Sequence, residues 1–181
     1  MRRWINRMEL RCRRYAIPNL MTYIVAGMAL VFMLDIMGLR ASWLLYLNRA
    51  SVFQGQIWRL VSFVFLPPSA SMLWILFSLY FYWMIGNALE NYWGAFRFNL
   101  FYLIGILGTI LGALITGSAT NVYMNFSLFL AFAILNPDFQ ILVFFLLPLK
   151  IKYLAIVNLV FYAIMMITGT WADRVAILVS L

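Results

Sequence analysis

Side chains that usually carry out catalysis or bind metal ions are scarce in this chain. Its 181 residues include no histidine and a single cysteine, Cys12. Without an imidazole the chain cannot perform histidine-dependent catalysis, and one thiol forms neither an internal disulfide nor a cysteine-based metal cluster. We therefore expect no metal and no other cofactor, and cysteine usage says nothing about the redox compartment.

The acidic residues do not suggest an ion pathway. A transport or channel subunit would place ionisable groups inside the membrane, because such groups line ion and substrate paths. Only Asp35 and Glu90 come close, and both lie near the ends of predicted spans. Asp35 can reach water, and we expect Glu90 to cap the membrane boundary near Arg97 rather than to bind a ligand. Transport is therefore kept only as an alternative.

The elements that must position these few groups are strongly apolar. Hydrophobic residues make up 66% of the chain and charged residues 10%. The mean hydropathy is +0.97. These values lie outside the range of soluble globular domains, so the sequence predicts an integral membrane protein whose solvent is the bilayer.

Apolar runs predict an all-α bundle of six transmembrane helices. The spans are predicted at about 17–38, 69–88, 98–117, 124–135 and 152–169, with an incomplete sixth at 174–181. The first span matches the hydrocarbon thickness, whereas 124–135 is too short to cross and is expected to lie within the protein. Pro67 and Pro68 introduce the second span, and a polar run containing Asn87, Glu90 and Asn91 closes it. The chain looks like a trimmed domain that stops within the sixth helix.

The segments between these spans have their own character. Residues 39–68 mix tryptophans, glutamines and arginines with short apolar clusters, which indicates a partly embedded first loop with short helices. Residues 139–149 are apolar and are expected to dip into the cytoplasmic interface. In the third span, Gly105, Gly108 and Gly112 follow one another at spacings of three and four, which predicts a face for close helix packing rather than a phosphate loop.

Basic residues concentrate at the N-terminus. Six arginines precede the first span and lie opposite an apolar arc on a helical wheel. Residues 1–16 are therefore predicted to form an amphipathic interfacial helix on anionic headgroups, with a disordered basic leader as the alternative. With the N-terminus, the 90–97 loop and both lysines in the cytoplasm, nine basic residues lie inside and four outside, which satisfies the positive-inside rule. The net charge of +8 needs no nucleic-acid partner.

Two motifs and their order resemble the rhomboid superfamily of intramembrane proteins. Residues 56–59 contain Trp58 and Arg59, similar to the Trp-Arg motif of the family's first loop. Residues 86–94 contain Gly86, Glu90 and Gly94, similar to its glycine, Leu-Glu and closing Trp-Gly. The resemblance covers about residues 15–181 and implies a rhomboid-like six-helix transmembrane fold.

The resemblance also identifies positions for a serine-protease site. In active rhomboids the serine of a GxSG motif is deprotonated by a histidine on the sixth helix, and an asparagine and a histidine on the second helix stabilise the oxyanion. The matching positions in this chain are Asn125, Phe126, Ser127 and Leu128 for the motif, Ala176 or Ile177 for the base, and Trp74 and Ser78 for the oxyanion pair.

These positions depart from the family's active pattern. Ser127 is kept, but both glycines are replaced, and Leu128 would block the close helix approach that glycine permits. The position of the base holds Ala176 or Ile177, and neither can accept a proton. Without a base, a serine hydroxyl is a poor nucleophile. The resemblance therefore implies a pseudoprotease, similar in character to derlins and the inactive rhomboid proteins.

The function expected from this resemblance is non-catalytic binding or routing of transmembrane client proteins. An active protease with an unrecognised base remains an alternative, but Lys150 and Lys152 belong to the opposite membrane boundary from Ser127 in the predicted topology. The plainer interpretation is that Ser127 is a small residue that lies with Ala131 at a helix crossing.

Clients are expected at a lateral opening between the second and fifth helices. Trp58 and Arg59 are either ordinary interfacial anchors or groups that distort the bilayer. In the second case the tryptophan ring lies at the interface and the arginine reaches phosphate.

Overall fold

Apolar helices form the framework of this protein, and the computed structural model describes residues 16–68, 71–143, 147–168, 171 and 174. The predicted amphipathic helix at residues 1–16 lies outside the described residues except for Ala16. The sixth span at 174–181 lies outside them except for Arg174.

Long and short elements alternate along the chain. The elements are α1 (Leu20–Ile36), α2 (Ala41–Leu45), β1 (Leu47–Asn48), α3 (Arg49–Phe53), α4 (Arg59–Ser62) followed by a 3-10 turn (Phe63–Phe65), α5 (Met72–Trp93), α6 (Ala95–Thr116), β2 (Ser118–Ala119), α7 (Val122–Leu135), β3 (Gln140–Val143), β4 (Leu147–Lys150) and α8 (Ile151–Thr168). Three described helices, α5, α6 and α8, are long and apolar enough to cross a membrane. The apolar helices α1 and α7 are shorter, so the described residues hold three candidate spans rather than six.

The first loop contains the short helices that the sequence predicts. Helices α2, α3 and α4 follow one another between α1 and α5. Strand β1 pairs antiparallel with β2, with Leu47 opposite Ala119 and Asn48 opposite Ser118. This pairing and the hydrogen bond from the Arg49 backbone N–H to the Gly117 carbonyl, at 2.8 Å, join the loop to the end of α6.

The second predicted span ends later than expected. The polar residues at 87, 90 and 91 do not close the helix, because α5 continues through them to Trp93. It stops at Gly94, whose backbone has φ 85° and ψ 154°, a conformation accessible essentially only to glycine. The prediction that this polar run ends the helix was wrong, because the backbone stays helical until Gly94 and Glu90 lies inside the protein, where its Oε1 accepts from the Asn19 N–H.

Two glycines allow close approach of α1 to its neighbours. A Cβ on Gly86 would overlap Met21, which is fully buried on α1. A Cβ on Gly27 would overlap the Phe65 ring. Glycine therefore permits the contacts of α1 with α5 and with the 3-10 turn.

The glycines of the third predicted span lie on α6 and have unequal surroundings. A Cβ on Gly105 would lie 3.0 Å from Met124 Cγ on α7. A Cβ on Gly112 would have no described neighbour within 4 Å, so this position does not make the predicted close approach. Gly108 is half-buried between them.

A β-hairpin occupies the segment that was expected to dip into the cytoplasmic interface. Strands β3 and β4 pair antiparallel, from Gln140 opposite Lys150 to Val143 opposite Leu147. The sequence analysis did not predict strands here, since an apolar run this short has no period that separates strand from buried helix. The hairpin leads directly into α8.

Candidate functional site

Helix α7 carries the Ser127 position and is fixed at its start by a buried asparagine. Asn121 is 2% exposed, and its Nδ2 donates to the carbonyls of Val64 at 3.2 Å and Leu66 at 2.9 Å. These bonds tie the start of α7 to the 3-10 turn of the first loop. The sequence analysis missed Asn121, whose role depends on two carbonyls more than 50 residues away.

Ser127 is engaged within its own helix. Its Oγ donates to the Met124 carbonyl at 2.8 Å. Helical periodicity places it on the side of α7 that includes Met124, which approaches Gly105 of α6, and away from Asn125 and Phe129. This position agrees with the interpretation of Ser127 as a small residue at a helix crossing.

A cavity of about 940 Å³ opens between α5, α7 and α8. We call it the groove. Phe81 of α5 contacts Phe129 of α7, with ring centroids 5.9 Å apart, and Phe126 of α7 contacts Tyr162 of α8 at 4.3 Å. Helices α5 and α8 thus both pack on α7 while a space remains between them. The groove lies between the second and fifth predicted spans, where a lateral opening was expected.

The groove brings together some of the predicted site positions but not Ser127. The predicted residues among its lining are Trp74, Ser78 and Asn125. Ser127 and Leu128 are not lining residues, and Leu128 is 1% exposed in the core. The serine that the resemblance selects is therefore separated from the cavity that could hold a ligand.

The described lining of the groove has hydrogen-bonding groups but no carboxyl group and no strong base. Its polar lining residues are Ser78, Tyr80, Tyr82, Asn125, Asn158 and Tyr162, and the remaining lining residues are apolar apart from the indole N–H of Trp74. No carboxylate, lysine, arginine or thiol is among the lining residues that the structure describes. These residues can bind and orient a ligand, but none of them would take a proton from a nucleophile at neutral pH.

Among the described lining residues, Asn125 is the one with buried side-chain atoms that lack hydrogen-bond partners. It is 3% exposed, and neither its Oδ1 nor its Nδ2 has a hydrogen-bond partner. The Tyr82 hydroxyl lies beside it without the geometry of a hydrogen bond. By contrast, Asn158 donates from Nδ2 to the Leu154 carbonyl of its own helix at 2.8 Å.

Both lysines lie beyond the far end of α7. Lys150 Nζ lies 2.9 Å from Asp138 Oδ1, and Lys152 Nζ lies 3.9 Å from the same oxygen. The Lys150 hydrogen bond and charge, with the charge of Lys152, hold the pKa of the exposed Asp138 carboxyl below its ordinary value. Ser127 is about 12 Å of helix rise from the last residue of α7, so this arrangement gives no Ser-Lys pair.

The Trp-Arg motif has an internal role that the sequence analysis did not predict. Arg59 is 5% exposed. Its Nη1 donates to the carbonyls of Trp43 at 2.9 Å and Tyr46 at 2.7 Å, and its Nε donates to Gln56 Oε1 at 2.6 Å. The expectation that this arginine reaches lipid phosphate was wrong, because its guanidinium satisfies carbonyls of the first loop. Trp58, at 56% exposed, remains available to the interface.

Glu90 also acts inside the protein. It is 8% exposed, and its Oε1 accepts from the Asn19 backbone N–H at 2.7 Å, just before α1 begins. The carboxylate thus satisfies one of the free N–H groups at a helix start. Glu90 holds the start of α1 against the end of α5, whereas the sequence analysis expected it to cap the boundary near Arg97.

The first loop, α5 and α7 therefore combine a Trp-Arg loop, a Gly-Leu-Glu helix and a short inner helix in one bundle. A family model described as Rhomboid domain matches residues 54–179, more than two thirds of the chain. This chain belongs to the rhomboid family. Comparison with curated proteins found no match.

The rhomboid match includes the groove and the motif positions. Arg59, Gly86, Glu90 and Gly94 all lie within the matched residues. In this structure they respectively hold the first loop, admit Met21, hold the start of α1 and end α5. Helix α1 precedes the match and is joined to it through Gly86 and Glu90.

Proposed function

We propose that this rhomboid-family protein binds transmembrane segments of other membrane proteins in the groove without cleaving them. The observation that carries the proposal is the separation of Ser127 from the groove. A nucleophile must lie within reach of both its base and its substrate. Here Ser127 donates to a backbone carbonyl of its own helix, and the described lining of the groove that could receive a substrate includes no base.

The form of the groove supports a membrane-embedded ligand. Its α5 wall includes Leu73 and Leu76, which are 74% and 64% exposed on a candidate span. Exposed apolar side chains on a spanning helix face hydrocarbon, so the groove is open to lipid from the side. A transmembrane helix can therefore enter by lateral diffusion, and its polar residues would escape hydrocarbon there.

The binding proposal is tested by crosslinking in liposomes of defined composition. The full chain carries a photoreactive phenylalanine at position 74, in the groove, or at position 104 as the control. Ile104 is 60% exposed on α6 and does not line the groove. The partner is a synthetic single-span peptide with a central polar residue. We expect adducts from position 74 at least several-fold above those from position 104, and equal yields would overturn the proposal.

The topology belongs to the same proposal. The N-terminus, the α5–α6 turn and the β3–β4 hairpin are placed in the cytoplasm, with the first loop on the other side. The contact of Asn19 with Glu90 supports this, since it puts the start of α1 and the end of α5 at the same face. In a Cys12→Ser background, cysteines at positions 51 and 150 should react with an impermeant reagent from opposite sides, and reaction from the same side would refute the arrangement.

A further inference from the structure

The unpartnered amide of Asn125 indicates what the groove selects, on the assumption that the proposed binding function holds. A buried amide without partners costs about 1–3 kcal/mol, so natural proteins rarely keep one without a role. Asn125 is 3% exposed and leaves both the oxygen and the nitrogen of its side chain unpaired in a cavity otherwise rich in aromatic rings. Such an amide can bind a ligand that offers one hydrogen-bond donor and one acceptor.

The described residues around the groove do not supply those groups fully. The Tyr82 hydroxyl lies beside the amide, but a single hydroxyl could satisfy only one side of it. Asn158 uses its Nδ2 within α8. A carboxamide has one acceptor oxygen and two N–H donors, and its natural complement is a group that donates and accepts at neighbouring atoms.

We propose that the groove selects client helices that carry a neutral carboxamide, Asn or Gln, and that Asn125 pairs with it. The pairing places the client's N–H on Asn125 Oδ1 and the client's oxygen on Asn125 Nδ2. A charged residue is disfavoured, because no described lining residue carries a charge that would offset its desolvation. An all-apolar helix leaves the amide unpaired.

The geometry also sets the depth at which the client's amide must lie. Ser78 and Tyr82 follow Met72, the first residue of α5, by six and ten residues, a rise of about 9 and 15 Å. Asn125 is in the first turn of α7 and lines the groove with them. The client's carboxamide is therefore expected about a third to a half of the way across, counted from the face where α5 begins.

A host–guest peptide series in liposomes tests the proposal. Single-span leucine-rich peptides carry Asn, Gln, Asp or Leu at the matching depth, and binding to the full chain is measured by energy transfer from a labelled peptide. One interhelical hydrogen bond in a membrane corresponds to about three- to ten-fold in affinity. We expect the Asn and Gln peptides to bind that much more tightly than the Leu and Asp peptides.

Two variants are compared by the ratio of Asn-peptide to Leu-peptide affinity, which does not depend on how much folded protein each variant yields. In Asn125→Leu the ratio of Asn-peptide to Leu-peptide affinity should fall to about one while the Leu peptide still binds. The matched control is Asn87→Leu, since Asn87 is a half-buried asparagine of α5 with an unpaired Oδ1 that does not line the groove. It should keep the wild-type ratio.

The outcomes separate this inference from the proposed function. A wild-type protein that binds all the uncharged peptides equally, or an Asn125→Leu variant that keeps the preference, overturns the carboxamide inference while peptide binding stands. Failure of every peptide to bind overturns both. Retention of phospholipid in the groove that no peptide displaces also overturns both, and it would identify the cavity as a lipid site.

Discussion

The two polar side chains that hold the first loop in place and the amide that lines the groove are buried equally deeply but differ in hydrogen bonding. Arg59 and Asn121 are 5% and 2% exposed, and their donors reach four backbone carbonyls. Asn125 is 3% exposed and has no hydrogen bond. A satisfied buried polar group stabilises a fold, whereas an unsatisfied one destabilises it. Burial alone therefore does not distinguish Asn125 from Arg59 and Asn121, but their hydrogen-bond partners do.

The largest effect is expected at Arg59. Arg59→Ala leaves the carbonyls of Trp43 and Tyr46 without donors inside the loop, so the free energy of unfolding should fall by about 3 kcal/mol. The matched control is Arg49→Ala, because Arg49 is exposed and donates to a single carbonyl, that of Leu114, at 3.1 Å. It should cost less than about 1 kcal/mol. Equal losses in SDS-titration unfolding would show that Arg59 does not hold the loop.

Two asparagines on or beside α7 should respond with opposite signs. Asn121→Leu removes the donor to two carbonyls and should destabilise the protein by about 2 kcal/mol. Asn125→Leu replaces an unpaired amide with an apolar group of similar size and should stabilise the unliganded protein by about 1 kcal/mol. The same unfolding assay, without peptide, measures both. If Asn125→Leu destabilises the protein as strongly as Asn121→Leu does, the contrast between loop and groove is wrong.

A smaller effect is expected at Ser127. Its hydroxyl bonds to a carbonyl of its own helix, so Ser127→Ala should change the unfolding free energy by less than about 0.5 kcal/mol. A fluorophosphonate probe should not label the wild-type protein, with an active serine hydrolase as the positive control. Stoichiometric labelling that disappears in Ser127→Ala would contradict non-catalytic function.

The smallest effect is expected at the exposed Asp138 cluster. The pKa of Asp138 lies below its ordinary 3.8, so the stability that it contributes is present above that value and is lost as pH falls through the lowered pKa. The thermal midpoint of the wild type should therefore exceed that of Asp138→Asn by a small amount that stays constant between pH 8 and 5 and shrinks only as the carboxyl is protonated at lower pH. A difference that changes within the interval from pH 8 to 5 would show that the cluster is more than a solvated ion pair.

Much of the helical framework could be predicted from apolar length and patterning. Helices α1, α5, α6, α7 and α8 fall near five of the predicted apolar runs. The start of α7, the short helix that carries Ser127, was predicted within two residues. The β3–β4 hairpin was not predicted, because its strands depend on pairing with each other. Glu90 was expected to cap the membrane boundary, because its hydrogen bond with Asn19 joins residues that are distant in the sequence.

The site was less predictable than the fold. The resemblance led to Ser127 and gave Asn125 only as a replaced glycine, although it is Asn125 that lines the groove. Arg59 was expected at the lipid interface because sequence shows a residue's chemistry but not whether carbonyls surround it. Hydrogen-bond satisfaction is a property of the assembled helices, so a sequence pattern cannot supply it.

The most direct test of binding without cleavage is the intact mass of the adduct formed from position 74 in liposomes with the Asn-bearing peptide. If the protein binds without cleaving, a single species should form whose mass is that of the full chain plus the full-length peptide. The same adduct should be found in a Ser127→Ala background. Peptide fragments cut within the membrane segment, present with Ser127 and absent in Ser127→Ala, would contradict it.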